Sequence, residues 1–128
     1  RMQPEMVGIG PFLPHKATPL GQEPAGELNL VLATIAIVRL MLPSALLPST
    51  TALATLTPRG RLEGILSGAN VVMPNLSPSG VRAKYAIYEN KASWGKEAAE
   101  GVEALDNELQ TIGYHIDYSR GDYNNLKP

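Results

Sequence analysis

Three short stretches of this sequence turn from apolar to hydrogen-bonding within a few residues. They are "GIGPF" (Gly8 to Phe12), "PSTTA" (Pro48 to Ala52) and "VMPNLSP" (Val72 to Pro78). Gly8 and Gly10 can bring bare backbone close to a ligand, and Thr50 and Thr51 offer hydroxyls. Asn75 offers an amide, and Met73 a polarisable thioether suited to an adenine ring or a sulfur. Such a set would hold the polar but uncharged part of a ligand. It carries neither a Ser-His-Asp set nor a close pair of carboxylates, so it does not read as a hydrolase. The bland alternative is that the glycines merely end a strand, the threonines pack as β-branched residues and Met73 belongs to a core.

Composition narrows the chemistry further. There are no cysteines, so disulfides, thiolate metal sites and cysteine nucleophiles are excluded within these 128 residues. Two histidines, His15 and His115, are too few for a zinc site without carboxylates. Eleven basic residues balance 12 acidic ones with no block of either sign, which argues against a nucleic-acid partner or an anionic membrane surface. The longest apolar run, Leu28 to Leu42, falls short of the roughly 20 residues that cross a bilayer. The chain opens on Arg1 without the ordered regions of a secretory leader, and reads as a cytoplasmic piece of a longer protein.

Strands and helices must place the three stretches. Met6 to Ile9 reads as a strand, followed by a Pro- and Gly-rich stretch to Gly26. A helix over residues 27–41 ends at Pro43; its polar residues share no face, so it should be buried on more than one side. Leu46 to Thr50 is a second strand. Thr57 as N-cap, Pro58 at the first helical position and Gly68 as stop predict a helix over Pro58 to Ser67. Ala69 to Met73 is a third strand, and Ser77-Pro78 opens a short helix to about Lys84. Ala98, Val102, Leu105, Leu109 and Ile112 mark an amphipathic helix capped by Gly113. Ile116 reads as the start of a short extended piece, and the tail from Asp122 to Pro128 reads as loose.

Alternating strands and helices, with strands apolar on both faces, describe parallel βα units. Three parallel strands alone would leave one face wet, so either another copy covers the sheet edges or this is the last part of a (β/α)8 barrel; the second also fits the abrupt start and is the α/β fold class expected. In such barrels the functional face lies at the C-terminal strand ends. Residues 1–91 are assigned to the partial barrel, and 92–128 to a C-terminal helical layer and tail.

The segments "MVGIGPFLPHKATPL", "LPSTTALATLTPRGR", "GANVVMPNLSP", "YAIYENKAS" and "GYHIDYSRGDY" together resemble the C-terminal part of the HydE family. These are radical S-adenosylmethionine maturases of FeFe-hydrogenase within the biotin synthase-like superfamily. The resemblance runs from about Met6 to Tyr123. It implies a (β/α)8 barrel of which this chain supplies about three units and the helical layer. It also implies S-adenosylmethionine and a 4Fe-4S cluster in the full-length parent, neither expected on this chain alone. The cluster cysteines of the pattern lie upstream. By the family pattern Thr50, Thr51, Ala52 and Tyr88 line the substrate side, while Met6, Gly8, Met73 and Tyr85 lie near S-adenosylmethionine. One departure stands out: the accessory-cluster cysteines of many HydE proteins correspond here to Ser93, Gly101 and Ala104, which supply no thiolate.

Three functions compete. The first is a HydE-like radical enzyme segment, partnered by the upstream barrel half and a small-molecule substrate. The second is a biotin synthase or methylornithine synthase type relative. The third is a non-enzymatic module that dimerises through exposed sheet edges and the helix at 27–41. Arg120-Gly121-Asp122 matches an adhesion tripeptide, with nothing else to suggest secretion.

Overall fold

The computed structural model describes residues 3–74 and 98–123. Three extended segments run parallel in chain order. Met6 bridges Leu46 and Ile9 bridges Ser49, both in parallel sense. The next pair is fully strand: β1 (Pro48–Ser49) and β2 (Val71–Val72) pair parallel, Pro48 opposite Val71 and Ser49 opposite Val72. Backbone bonds extend the ladder beyond these short strands. Leu46 N donates to Glu5 O and Val7 N to Leu46 O, at 2.9 and 3.0 Å. Asn70 N donates to Leu47 O, while the Asn70 side chain accepts from Leu47 N at 2.8 Å.

Helices connect the segments. Helix α1 (Leu28–Met41) joins the first to the second, and α2 (Thr51–Leu56) with α3 (Gly60–Leu66) joins the second to β2. Helix α4 (Ala98–Gln110) follows later. Parallel pairing with helical crossovers is the α/β architecture expected; closure into a barrel lies beyond the described residues.

The helix expected over Pro58 to Ser67 is present as α3, and an unanticipated helix, α2, precedes it. Thr57 is the C-cap of α2 and not an N-cap, and Thr51 and Ala52 are helical rather than at a strand end. Proline explains the break. Pro58 has no N–H to give, and its ring drives the preceding residue out of the helical region. Thr57 is accordingly extended, at φ −149° and ψ 146°. The chain re-enters a helix at Gly60, whose N–H bonds Thr57 O at 3.0 Å.

The helix ends follow the glycine signals. Gly68 (φ +115°) and Gly113 (φ +80°) occupy the left-handed region. At each, two bonds reach back as in a Schellman motif. Ala69 N bonds Gly64 O and Gly68 N bonds Ile65 O; Tyr114 N bonds Leu109 O and Gly113 N bonds Gln110 O. Helix α4 stops at Gln110, so Ile112 lies in the turn.

The core is one cluster: Val31 and Ile35 of α1, Ala45 and Leu47, Leu53, Leu62 and Ile65, Ala69, and Leu105 and Leu109 of α4. Helix α3 packs closely on the sheet and on α2 because it is bare at two positions. A Cβ on Gly64 would lie 2.5 Å from Ser49 Oγ, and one on Gly60 would collide with Leu53 O. Buried Ser49 donates its hydroxyl to Arg61 O at 2.8 Å, and Arg61 pairs with Glu108 of α4 at 3.4 Å.

Helix α1 departs from expectation. Val31 and Ile35 are its only buried residues, while Leu30, Ile37, Leu40 and Met41 are exposed. Its apolar circumference is packed on one side only, against the sheet and α3.

Candidate functional site at the strand ends

Side chains alternate along extended backbone, so the parallel registers sort the three segments into two faces. Val7, Ile9, Leu47, Ser49 and Val72 share the face toward the helices, where Leu47 and Ser49 are buried and Val7, Ile9 and Val72 pack against the core. Met6, Gly8, Gly10, Leu46, Pro48, Thr50, Val71 and Met73 fall on the opposite face, where Pro48 is buried. Ile9, Ser49 and Val72 are aligned, so the next residues form one layer past the C-terminal ends: Gly10, Thr50 and Met73.

This layer gathers part of the expected site. Thr50 and Met73 stand in it, and Gly8 lies one step back on the same face. Met73 is 51% exposed. Thr50 is extended, and its Oγ1 is buried without a hydrogen-bond partner. A Cβ on Gly10 would lie 2.9 Å from that oxygen, so the first two segments touch here. Gly26 N bonds Phe12 O at 2.8 Å, pinching shut the proline-rich loop that follows Gly10.

Other expected residues lie elsewhere. Met6 pairs with Leu46 at the N-terminal end of the sheet, on the open face but about 10 Å from the Ile9 layer by strand rise. Thr51 and Ala52 are half-buried in the first turn of α2, and Thr51 O accepts the Thr55 hydroxyl at 3.0 Å. Tyr85, Tyr88, Asn75, Ser93, the short helix opened by Ser77-Pro78 and the boundary between 91 and 92 lie outside the described residues. So do residues 124–128 of the tail.

Three features were not anticipated. The first is a cleft of about 520 Å³ at the opposite end of the sheet, between Met6, Leu46, Ala69 and Asn70 on one side and His115 and Ile116 on the other. The second is Arg39, a cation within the apolar run of α1. Its Nε donates to Gly68 O and its Nη1 to Pro43 O and Ala45 O, each at 2.8 Å. A cation in the last turn of a helix, just before a proline, was the available signal for this capping role.

The third feature is Asp106. Ile116 N donates to its Oδ1 at 2.7 Å and Gln110 Nε2 to its Oδ2 at 2.9 Å. The backbone N–H of Ile116 first, then the Gln110 amide and nearby His115, hold this carboxyl below its ordinary pKa of 3.8. Asp117 is lowered likewise, chiefly by the N–H of Ser119.

Among the described residues no group of three His, Cys, Asp or Glu side chains could hold a metal ion. His15 sits in a local turn, its Nδ1 accepting from Ala17 N at 3.1 Å. No helix among the described residues is long and apolar enough to cross a membrane.

No family model matches the chain. It is 47% identical over 87 residues to the [FeFe] hydrogenase maturase subunit HydE of Thermotoga maritima. The match takes in 68% of this chain and 25% of that relative, so the chain spans about a quarter of the length of the curated relative it matches.

Proposed function

We propose, from the premise that this chain is a HydE-like segment, that it forms one wall of the cavity of a radical S-adenosylmethionine barrel enzyme. The observation that carries this reading is the 47% identity to HydE, together with the layer of Gly10, Thr50 and Met73 at parallel strand ends. Strand ends of that polarity are where barrel enzymes place their ligands.

The cluster does not fit this chain. It has no cysteine, so thiolates for a 4Fe-4S cluster come from outside these residues. A pocket wall does fit. The strand ends are uncharged, one face of the sheet is open at Met73, and Thr50 presents a buried hydroxyl with nothing to bond. S-adenosylmethionine, bound at the cluster, supplies the radical in this class of enzyme. The residues here position and enclose: Met73 and Gly8 beside S-adenosylmethionine, Thr50 toward the substrate. Thr51 and Ala52, at the start of α2, set the direction in which Thr50 leaves the sheet.

The substrate is the finer question. Gly101 and Ala104 lie in α4, and neither they nor Ser93 can bind iron. A Cβ on Gly101 would meet nothing within 4 Å, so close packing does not explain the glycine. The missing thiolates favour a second reading, a cytoplasmic relative on the same barrel acting on another substrate.

The test is reductive cleavage. The longer polypeptide carrying this chain, with its cluster reconstituted, should convert S-adenosylmethionine into 5′-deoxyadenosine under a low-potential reductant. A loaded cluster with no 5′-deoxyadenosine above the rate without protein would defeat the proposal.

A further inference from the structure

Both crossovers lie on one side of the sheet. Helix α1 leads from the first segment to the second and α3 leads on to β2, and the two pack against each other over Leu47 and Ser49. Arg39 marks the flank of α1 that meets the end of α3. Its Nε bonds Gly68 O at 2.8 Å, and a Cβ on Gly68 would lie 2.9 Å from Arg39 Cβ.

The other flank is apolar and open. At about 100° per residue, Leu30, Ile37 and Met41 stand roughly 160–180° around α1 from Arg39. They are 65%, 56% and 63% exposed. With Thr34 they recur at steps of four, three and four, the spacing of a helix-packing seam. Thr34 donates its hydroxyl to Leu30 O at 2.7 Å within the helix, so the seam asks no hydrogen bond of a partner.

Handedness and chain order say what covers it. Parallel strands joined in sequence by crossovers of one hand set their helices side by side on one face, in strand order. Helix α3 holds one flank of α1, which leaves the other for a crossover entering the Met6–Ile9 segment from an upstream parallel strand. A further βαβ unit takes about 30 residues. The curated relative has that length to spare, since this chain matches 25% of it.

We infer that Leu30, Thr34, Ile37 and Met41 seat an upstream helix of the longer polypeptide, one whose own apolar residues recur at three- and four-residue steps. This rests on the reading of the chain as part of a barrel wall. A charge at Ile37 would be buried by that helix. A charge at exposed Asn29, about 100° round from Leu30, would stay in water.

The experiment places p-benzoylphenylalanine at Ile37 of the longer polypeptide and, in a second variant, at Met41 at the helix end. Irradiation should join each to sequence N-terminal to this chain, within one molecule. The yield should be at least about threefold that of the same probe at Asn29. In melting, Ile37→Glu should fall about 5 °C or more below the parent, and Asn29→Glu should stay within about 2 °C of it. Four results would each overturn the inference: crosslinks between two copies, crosslinks confined to this chain's own residues, equal yields at all three positions, or equal melting of the two glutamate variants. Cleavage of S-adenosylmethionine by a polypeptide whose Ile37 and Met41 probes miss the upstream sequence would sink this inference alone. An upstream crosslink in a cluster-loaded polypeptide that makes no 5′-deoxyadenosine would sink the functional reading alone.

Discussion

Arg39 bonds three carbonyls within 2.8 Å, those of Pro43, Ala45 and Gly68, and so joins the end of α1 to the end of α3. Charged hydrogen bonds of this kind outweigh neutral ones, and each carbonyl left bare in a half-buried place adds its own cost. Arg39→Ala should therefore lower stability by about 2–3 kcal/mol in urea unfolding. Arg39→Lys should recover only part of that, because an ammonium cannot span the same fork of acceptors. A loss below about 0.5 kcal/mol for the alanine variant would show that solvent replaces the guanidinium. The residue is visible in sequence as a cation before a proline, but its partner Gly68 lies 29 positions away. Only the packing of α3 on α1 brings them together.

The elements divide into those set by local chemistry and those set by contact. Gly68 and Gly113 were readable as helix stops because the left-handed region favours glycine. The parallel segments were readable from their apolar runs, although regular strand pairing covers only two residues in each of β1 and β2. Helix α2 is not legible in the sequence, because "PSTTA" reads as a strand end, Leu53 to Leu56 carry no helix signal of their own and Pro58 reads as a helix start. The same proline is what stops α2. Helix α4 carries a testable clasp, in which Asp106 accepts the N–H of Ile116 and holds the following segment against the helix. Its carboxyl is held below 3.8 in the folded chain, so its stabilisation is complete above that ordinary value. It is lost as pH falls through the lower folded pKa. Asp106→Asn should thus melt below the parent at neutral pH, with the gap closing as the solution is acidified below about pH 3.8. A gap that stays constant with pH would mean the carboxylate charge contributes nothing to the clasp.

At the scale of the molecule, the described residues leave apolar side chains exposed at both ends of one sheet face and along one flank of α1. Met6 and Met73 are half exposed on the sheet, and Leu30, Ile37, Leu40 and Met41 are exposed on the helix. Parallel sheets ordinarily have both faces covered, so the periodic apolar pattern over-predicts burial within these residues alone. The candidate site shares this division. Thr50, Met73 and Gly8 come together because strand polarity and alternation are local properties. The contact of Gly10 with Thr50 and the cleft near Met6 depend on distances between segments, which spacing along the chain does not encode. The most direct measurement of the central claim is photolabelling with 8-azido-S-adenosylmethionine on the cluster-loaded longer polypeptide. The account predicts label, displaced by S-adenosylmethionine, on the peptides holding Gly8 to Gly10 or Met73. Displaceable label confined to the cleft segment from Tyr114 to Asp122, or absent from this chain altogether, would contradict it.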